Sequence, residues 1–266
     1  MKRFDHYPPE ACYNTLAQAL QTAKARTHDF PCNDPEAADE IIDRVIRFHE
    51  SYREELITAP ASVKYHHYFN GGYIVHITEV FNNLVFLVNS MLPSDINNRP
   101  DLLECSYCSG GRLLAELYAA TYVHDLDKLF LRYTRGPQSE EDKPTDRQVK
   151  SWERSIPVAP DDTKTSYSKK IDHWVKYKEL LPDHMIPKHS YNPGMLDSDD
   201  SGIVAALCLQ HDLPWTPFMA HLVSTHHGGW AELKGGRYNM HPMAALLHSA
   251  DLISSRVQKG YSHVQL

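Results

Sequence analysis

Four stretches of this chain carry nitrogen and oxygen donors suited to a divalent cation. Tyr122-Val123-His124-Asp125-Leu126-Asp127-Lys128 offers an adjacent imidazole and carboxylate, and Gly71-Gly72-Tyr73-Ile74-Val75-His76 adds an imidazole upstream. Downstream, Ser224-Thr225-His226-His227-Gly228-Gly229 brings a histidine pair and Leu246-Leu247-His248-Ser249-Ala250-Asp251 a second carboxylate. Cysteine takes no part, and the expected cofactor is a divalent ion: Mn, Mg, Fe, Co or Ni. A cation held by donors from these stretches would keep positions open for water and substrate, unlike a closed structural site. It would lower the pKa of its water to about 7, so metal-assisted hydrolysis is the expected chemistry.

The neighbours of these ligands fit the same chemistry. Lys128, one helical turn beyond His124, suits a point contact to an anionic substrate group, with Arg132 and Arg135 as helpers. His226 and His227 either ligate a second cation bridged by Asp125 or donate a proton to the leaving group. His66 and His67 are expected to reach the substrate from their loop, while His211, His221 and His248 are assigned to structure. Taken singly, each residue has a plainer explanation: His76 as a core histidine on a backbone carbonyl, Lys128 as a solvated helix end. Their joint occurrence carries the reading.

Positioning these groups requires helices. His76 follows a Pro- and Gly-containing loop (Ala59 to Gly72) and shares a face with Val80, Leu84, Leu87 and Val88 at spacings of three and four. Arg112 to Asp125 reads as a buried central helix with the His-Asp pair at its inner end. Gly202 to Leu209 and Phe218 to Thr225 read as helices broken at Pro214 and Pro217, and about Pro242 to Val257 as the last helix. Ahead of them, Pro9 to about Arg26 and a helix opening at Asn33-Asp34-Pro35-Glu36 form a packing layer. No strand series is visible, which predicts an all-α fold: residues 1–58 as an N-terminal helical layer and 59–266 as the catalytic domain, in one compact unit.

Residues from about 132 to 201 depart from this pattern. They form a long polar insertion, with one short helical stretch near Lys170 to Leu181. Lys164, Lys169, Lys170, Lys176 and Lys178 alternate there with Tyr167, Trp174 and Tyr177. Basic residues among aromatics can hold phosphate and stack a base, and an insertion following the His-Asp motif is placed to cover the site. Lys169 and Lys170 are therefore candidate substrate contacts; a solvated face is the equal alternative.

Composition bounds the function. The 266 residues suffice for one large domain, and a formal charge of -7 gives no global attraction to phosphate polymers. Five cysteines, an odd number, and an N-terminus without an apolar core predict a reducing, cytoplasmic setting. Cys105 and Cys108 have redox or zinc spacing but lack a second pair. No apolar run is expected to span a bilayer, for which about 18 residues are needed.

The order His76, His124-Asp125, Asp251 resembles the H…HD…D signature of the HD-domain superfamily, helical metal-dependent phosphohydrolases. Gly71 to Val80 is similar to that superfamily's GGLLEHTLEV segment, and His124-Asp125-Leu126-Asp127-Lys128 to its HDIGK. Ala59-Pro60-Ala61 with His66-His67, and His221 to Gly228, resemble the HD domain of bacterial 3′→5′ exoribonucleases. Those enzymes carry an OB-fold ahead of the HD domain, where this chain has helices, and a glycine-histidine step absent near Ser201-Gly202-Ile203. The resemblance implies a single HD-domain helical bundle with a divalent metal on His76, His124, Asp125 and Asp251, in-line attack of metal-bound hydroxide on phosphorus, and a small-molecule nucleotide substrate, cleaved as a nucleotidase or nucleoside triphosphohydrolase would. A 3′→5′ exonuclease or phosphodiesterase on short nucleic acid is the alternative, and a non-catalytic nucleotide-binding module the alternative of another class.

Overall fold

The computed structural model describes residues 9–61, 67, 70–91, 110–131, 133–135, 189–191, 201–226 and 241–258; for 133–135, 189–191 and 256–258 it describes the backbone alone. The described residues are predominantly helical. Helices α1 (Pro9–Thr27), α2 (Pro35–Ser51) and α3 (Arg53–Thr58) lead into α4 (Gly72–Met91), α5 (Gly110–Val123) and the short α6 (Leu126–Phe130). Helices α7 (Ser201–Gln210), α8 (Pro217–Thr225) and α9 (Pro242–Leu252) follow, and a π-helical segment, Ile253–Gln258, continues α9.

Two three-residue strands were not anticipated. β1 (Tyr133–Arg135) pairs antiparallel with β2 (His189–Tyr191), matching Tyr133 to Tyr191 and Arg135 to His189. Three residues are too few for an alternating pattern to stand out in sequence. The expected helical stretch near Lys170 to Leu181 lies outside the described residues, as do Cys105 and Cys108.

Local chemistry explains the helix starts. Asp34 caps α2 by accepting a hydrogen bond from Ala37 N at 3.0 Å, with Pro35 in the first turn. Thr216 caps α8 in the same way through Met219 N at 3.1 Å. Pro217 therefore begins a helix instead of breaking one: its missing N–H would have had no intrahelical partner anyway. The last helix is also modified, since α winding gives way to π winding after Leu252.

α5 is the central element, packed against α1, α2, α4, α8 and α9. Almost all of it is buried, which explains the continuous apolar run in its sequence. α4 packs on α1 at one side and on α9 with its π segment at the other. One hydrophobic core runs from Cys12 through Leu84 and Leu117 to Ala250. Contrary to expectation, α4 is long and apolar enough to cross a membrane by length and composition, but it is the buried core helix of this bundle.

A buried polar joint ties α1, α2 and α5 together. His49 stacks on Tyr13 with ring centroids 4.0 Å apart; its Nε2–H donates to Tyr13 O at 3.1 Å, and its Nδ1 accepts from the Tyr122 hydroxyl at 3.0 Å. Burial, only partly offset by the Tyr13 carbonyl, lowers the His49 pKa to about 4. His49 is thus a neutral structural histidine.

Candidate metal centre

The turn His124-Asp125 between α5 and α6 sits at the buried inner end of α5. His76 projects from the first turns of α4 and is fully buried, Asp251 lies at the end of α9, and His226 directly follows α8. Ligand atoms of His76, His124 and Asp125 lie within 4.8 Å of one another, and those of His124, His226 and Asp251 do the same. Five residues from four separate chain segments thus form two overlapping groups that share His124.

Hydrogen bonds at the back of each ring decide which nitrogen faces this centre. His124 Nδ1 contacts Thr121 O at 2.8 Å, and His226 Nδ1 contacts Val223 O. A carbonyl can only accept, so both rings carry their proton on Nδ1 and turn the Nε2 lone pair inward. His76 Nδ1 contacts Ser254 Oγ at 2.9 Å, and the Ser254 hydroxyl in turn donates to Glu79 Oε2 at 2.7 Å. His76 therefore also presents the Nε2 lone pair. Burial, against the opposing pull of Asp125 and Asp251, keeps the His76 pKa below its ordinary value and the ring neutral.

The atoms opposite these lone pairs are carboxylate oxygens. His76 Nε2 is 3.2 Å from Asp125 Oδ2 and 3.4 Å from Asp251 Oδ1, and His124 Nε2 is 3.4 Å from Asp125 Oδ2. His124 Nε2 is buried and has no hydrogen-bond partner among the described residues. Acceptors facing acceptors at these distances repel, and a divalent cation turns that repulsion into coordination. The donor set fits such an ion.

The Asp125 carboxylate is held charged. Burial alone would raise its pKa, but the adjacent Lys128 ammonium outweighs burial and holds the carboxyl well below the usual range. Lys128 is buried with its Nζ bonded to Asp125 Oδ2, so it stands at the ligand cluster and not in solvent.

Several expected site residues are placed differently or not at all. His67 was expected to touch substrate, yet it is fully buried with Nε2 3.0 Å from Glu79 Oε2, behind His76. A left-handed backbone (φ 53°) turns it inward, and its carbonyl accepts from Ala61 N at 3.2 Å. His226 groups with His124 and Asp251, where a bridge through Asp125 had been expected. His66, His227, Arg132, Lys169 and Lys170 lie outside the described residues, and Arg135 is described only as strand backbone. Of the histidines assigned to structure, His211 stacks on Phe130 with centroids 4.2 Å apart, and His248 Nδ1–H donates to the His226 carbonyl.

Glu79 and Ser254 escaped the sequence reading as parts of the site. Each lies three residues beyond a ligand, Glu79 after His76 within α4 and Ser254 after Asp251 across the step from α9 to its π segment, and that short spacing could have pointed to them. No family model matches this chain, and no curated protein or solved structure does either.

Proposed function

We propose that this chain is a metal-dependent phosphohydrolase of the HD-domain superfamily, cleaving a phosphate ester or anhydride of a nucleotide. One observation carries the reading: Nε2 of His76 and of His124 lie 3.2 to 3.4 Å from carboxylate oxygens of Asp125 and Asp251 in a buried cluster, an arrangement that suits a divalent cation. His76, His124, Asp125 and Asp251 would hold the cation, with His226 as a further candidate ligand beside His124 and Asp251. When bound, the cation supplies a Lewis acid for a phosphate oxygen and a water of lowered pKa.

The chain's own groups then have defined tasks. Asp125, kept ionised, orients the attacking water by accepting its hydrogen bond. Lys128 stands beside Asp125 and provides a positive charge where negative charge accumulates on the phosphoryl oxygens, the preorganised electrostatic role expected of such a group. His226, with Nδ1–H tied to Val223 O, keeps Nε2 available to the centre as ligand or proton acceptor. Burial of His76, His124, Asp125 and Asp251 restricts the access of bulk water to the cluster.

The test is incubation with Mn²⁺, Mg²⁺, Co²⁺ or Ni²⁺ and a panel of nucleotides and oligonucleotides, with products separated by chromatography and bound metal measured in parallel. Mononucleotide hydrolysis that disappears, together with bound metal, in Asp125→Ala is the expected result. Full activity and metal content in that variant would overturn the assignment. Shortening of oligonucleotides with no action on mononucleotides would move the substrate to short nucleic acid.

A further inference from the structure

One stretch of chain holds the His76 ring from both edges. Asp251, at the end of α9, places Oδ1 3.4 Å from Nε2, and Ser254, in the π-helical segment that follows, places Oγ 2.9 Å from Nδ1. π winding inside or at the end of an α-helix is frequently found at functional sites. Here it accompanies the delivery of Ser254 to the back of a candidate ligand.

Ser254 is itself oriented. A hydroxyl has one proton to give, and Ser254 gives it to Glu79 Oε2 at 2.7 Å, so toward His76 it can only accept. Glu79 is fully buried, and the same oxygen lies 3.0 Å from His67 Nε2. Burying a carboxylate is costly unless it is partnered, and a well-packed apolar side chain in its place is often neutral or stabilising. Three polar side chains from the loop before α4, from α4 and from the π segment nevertheless converge behind this ring.

We propose that Glu79 and Ser254 are positioning residues acting in series, a relay that fixes the orientation and tautomer of His76 and thereby sets the affinity of the centre for its cation, with His67 as the buried companion of Glu79. The relay rests on the metal-centre reading for its consequence, but not for its geometry. An acceptor on the outer nitrogen of a ligating histidine fixes the ring and strengthens its donation, and its removal typically lowers metal affinity about 10- to 100-fold. Residues in series should also be non-additive: once Ser254 is gone, Glu79 has lost its route to His76.

The experiment uses the full chain as wild type, Ser254→Ala, Glu79→Gln and the double variant. Kd for Mn²⁺ and Co²⁺ is measured by calorimetry, and the His76 tautomer is read in metal-free protein by long-range ¹H–¹⁵N NMR. Each single variant is expected to raise Kd about 10- to 100-fold with melting temperature little changed, and the double variant to do no worse than Ser254→Ala. Wild type should show His76 protonated on Nδ1. In Glu79→Gln the amide can donate to Ser254, free its proton for His76 and move the ring toward the Nε2–H form. Unchanged Kd in both single variants, losses that multiply in the double variant, or an Nε2–H tautomer in wild type would each overturn the relay. Should Ser254→Ala fail to fold, the nearly isosteric Glu79→Gln carries the same test. A wild type that binds neither cation would instead overturn the metal-centre reading, and the tautomer measurement would still judge the relay.

Discussion

Replacing Asp251 with Asn should make the metal-free protein more stable while weakening its hold on the cation. Asp251 Oδ1 and Asp125 Oδ2 lie 3.4 and 3.2 Å from the same nitrogen, His76 Nε2. The two oxygens are therefore separated by no more than about 7 Å, where two like charges repel by about 2 kcal/mol at an effective dielectric constant of about 20. Asn removes that repulsion, and its amide N–H can donate to the Nε2 lone pair that a carboxylate oxygen now opposes. For a chain of this size a gain of about 2 kcal/mol raises the melting temperature by about 5 °C. Saturating cation reverses the order: at a hundred times Kd it stabilises wild type by about 2.7 kcal/mol, and Asp251→Asn, short of one anionic ligand, keeps little of this. Thermal unfolding of both proteins in chelator and in excess Mn²⁺ reads the crossover directly. A variant less stable than wild type in chelator, or one with an undiminished shift on adding Mn²⁺, would refute the opposed-acceptor account.

Three further outcomes are expected. Lys128→Ala should lower kcat roughly 10²-fold through loss of a preorganised charge, and it should destabilise the metal-free protein by about 3 kcal/mol because it leaves the buried Asp125 without its ammonium partner; unchanged turnover and unfolding midpoint would dismiss both roles. His49 should make stability depend on pH: above its unfolded pKa of 6.5 the ring is neutral in both states, and as pH falls towards about 4 only the unfolded chain takes up the proton. That loss amounts to about 3 kcal/mol across the window, so urea unfolding of His49→Gln at pH 7, 5.5 and 4.5 should show a shallower decline than wild type, and equal slopes would count against it. Gly72→Ala would place a Cβ 1.8 Å from the His67 carbonyl oxygen; displacement of that loop should cost about 3 kcal/mol, and near-wild-type urea unfolding would show that the close approach is relieved cheaply.

The donor types and the helices that carry them were legible in the sequence because both are local. Apolar spacing of three and four marks the buried faces of α1, α2 and α4, and the Asp34-Pro35 start of α2 is a signal within a few residues of itself. His76, His124, Asp125 and Asp251 were recognisable by residue type and by their places on or beside those helices. Pro217 was misread because its effect depends on position: the same residue breaks a helix interior and opens a helix behind a Thr cap.

What only the tertiary structure decided is where side chains from distant segments point. His76 and Ser254 are 178 residues apart in sequence, and their contact exists because α4 packs against α9 and its π segment. No periodicity reports a ring's tautomer; that followed from the carbonyls of Thr121 and Val223 and from the hydroxyl that Glu79 orients. His67 shows the same limit. Its type and loop suggested a substrate contact, but a left-handed backbone beside Gly72 and the buried carboxylate of Glu79 turn it inward. Sequence spacing constrains which residues share a face, whereas the pairing of buried polar groups is set by the energy of leaving them unsatisfied once the helices have packed.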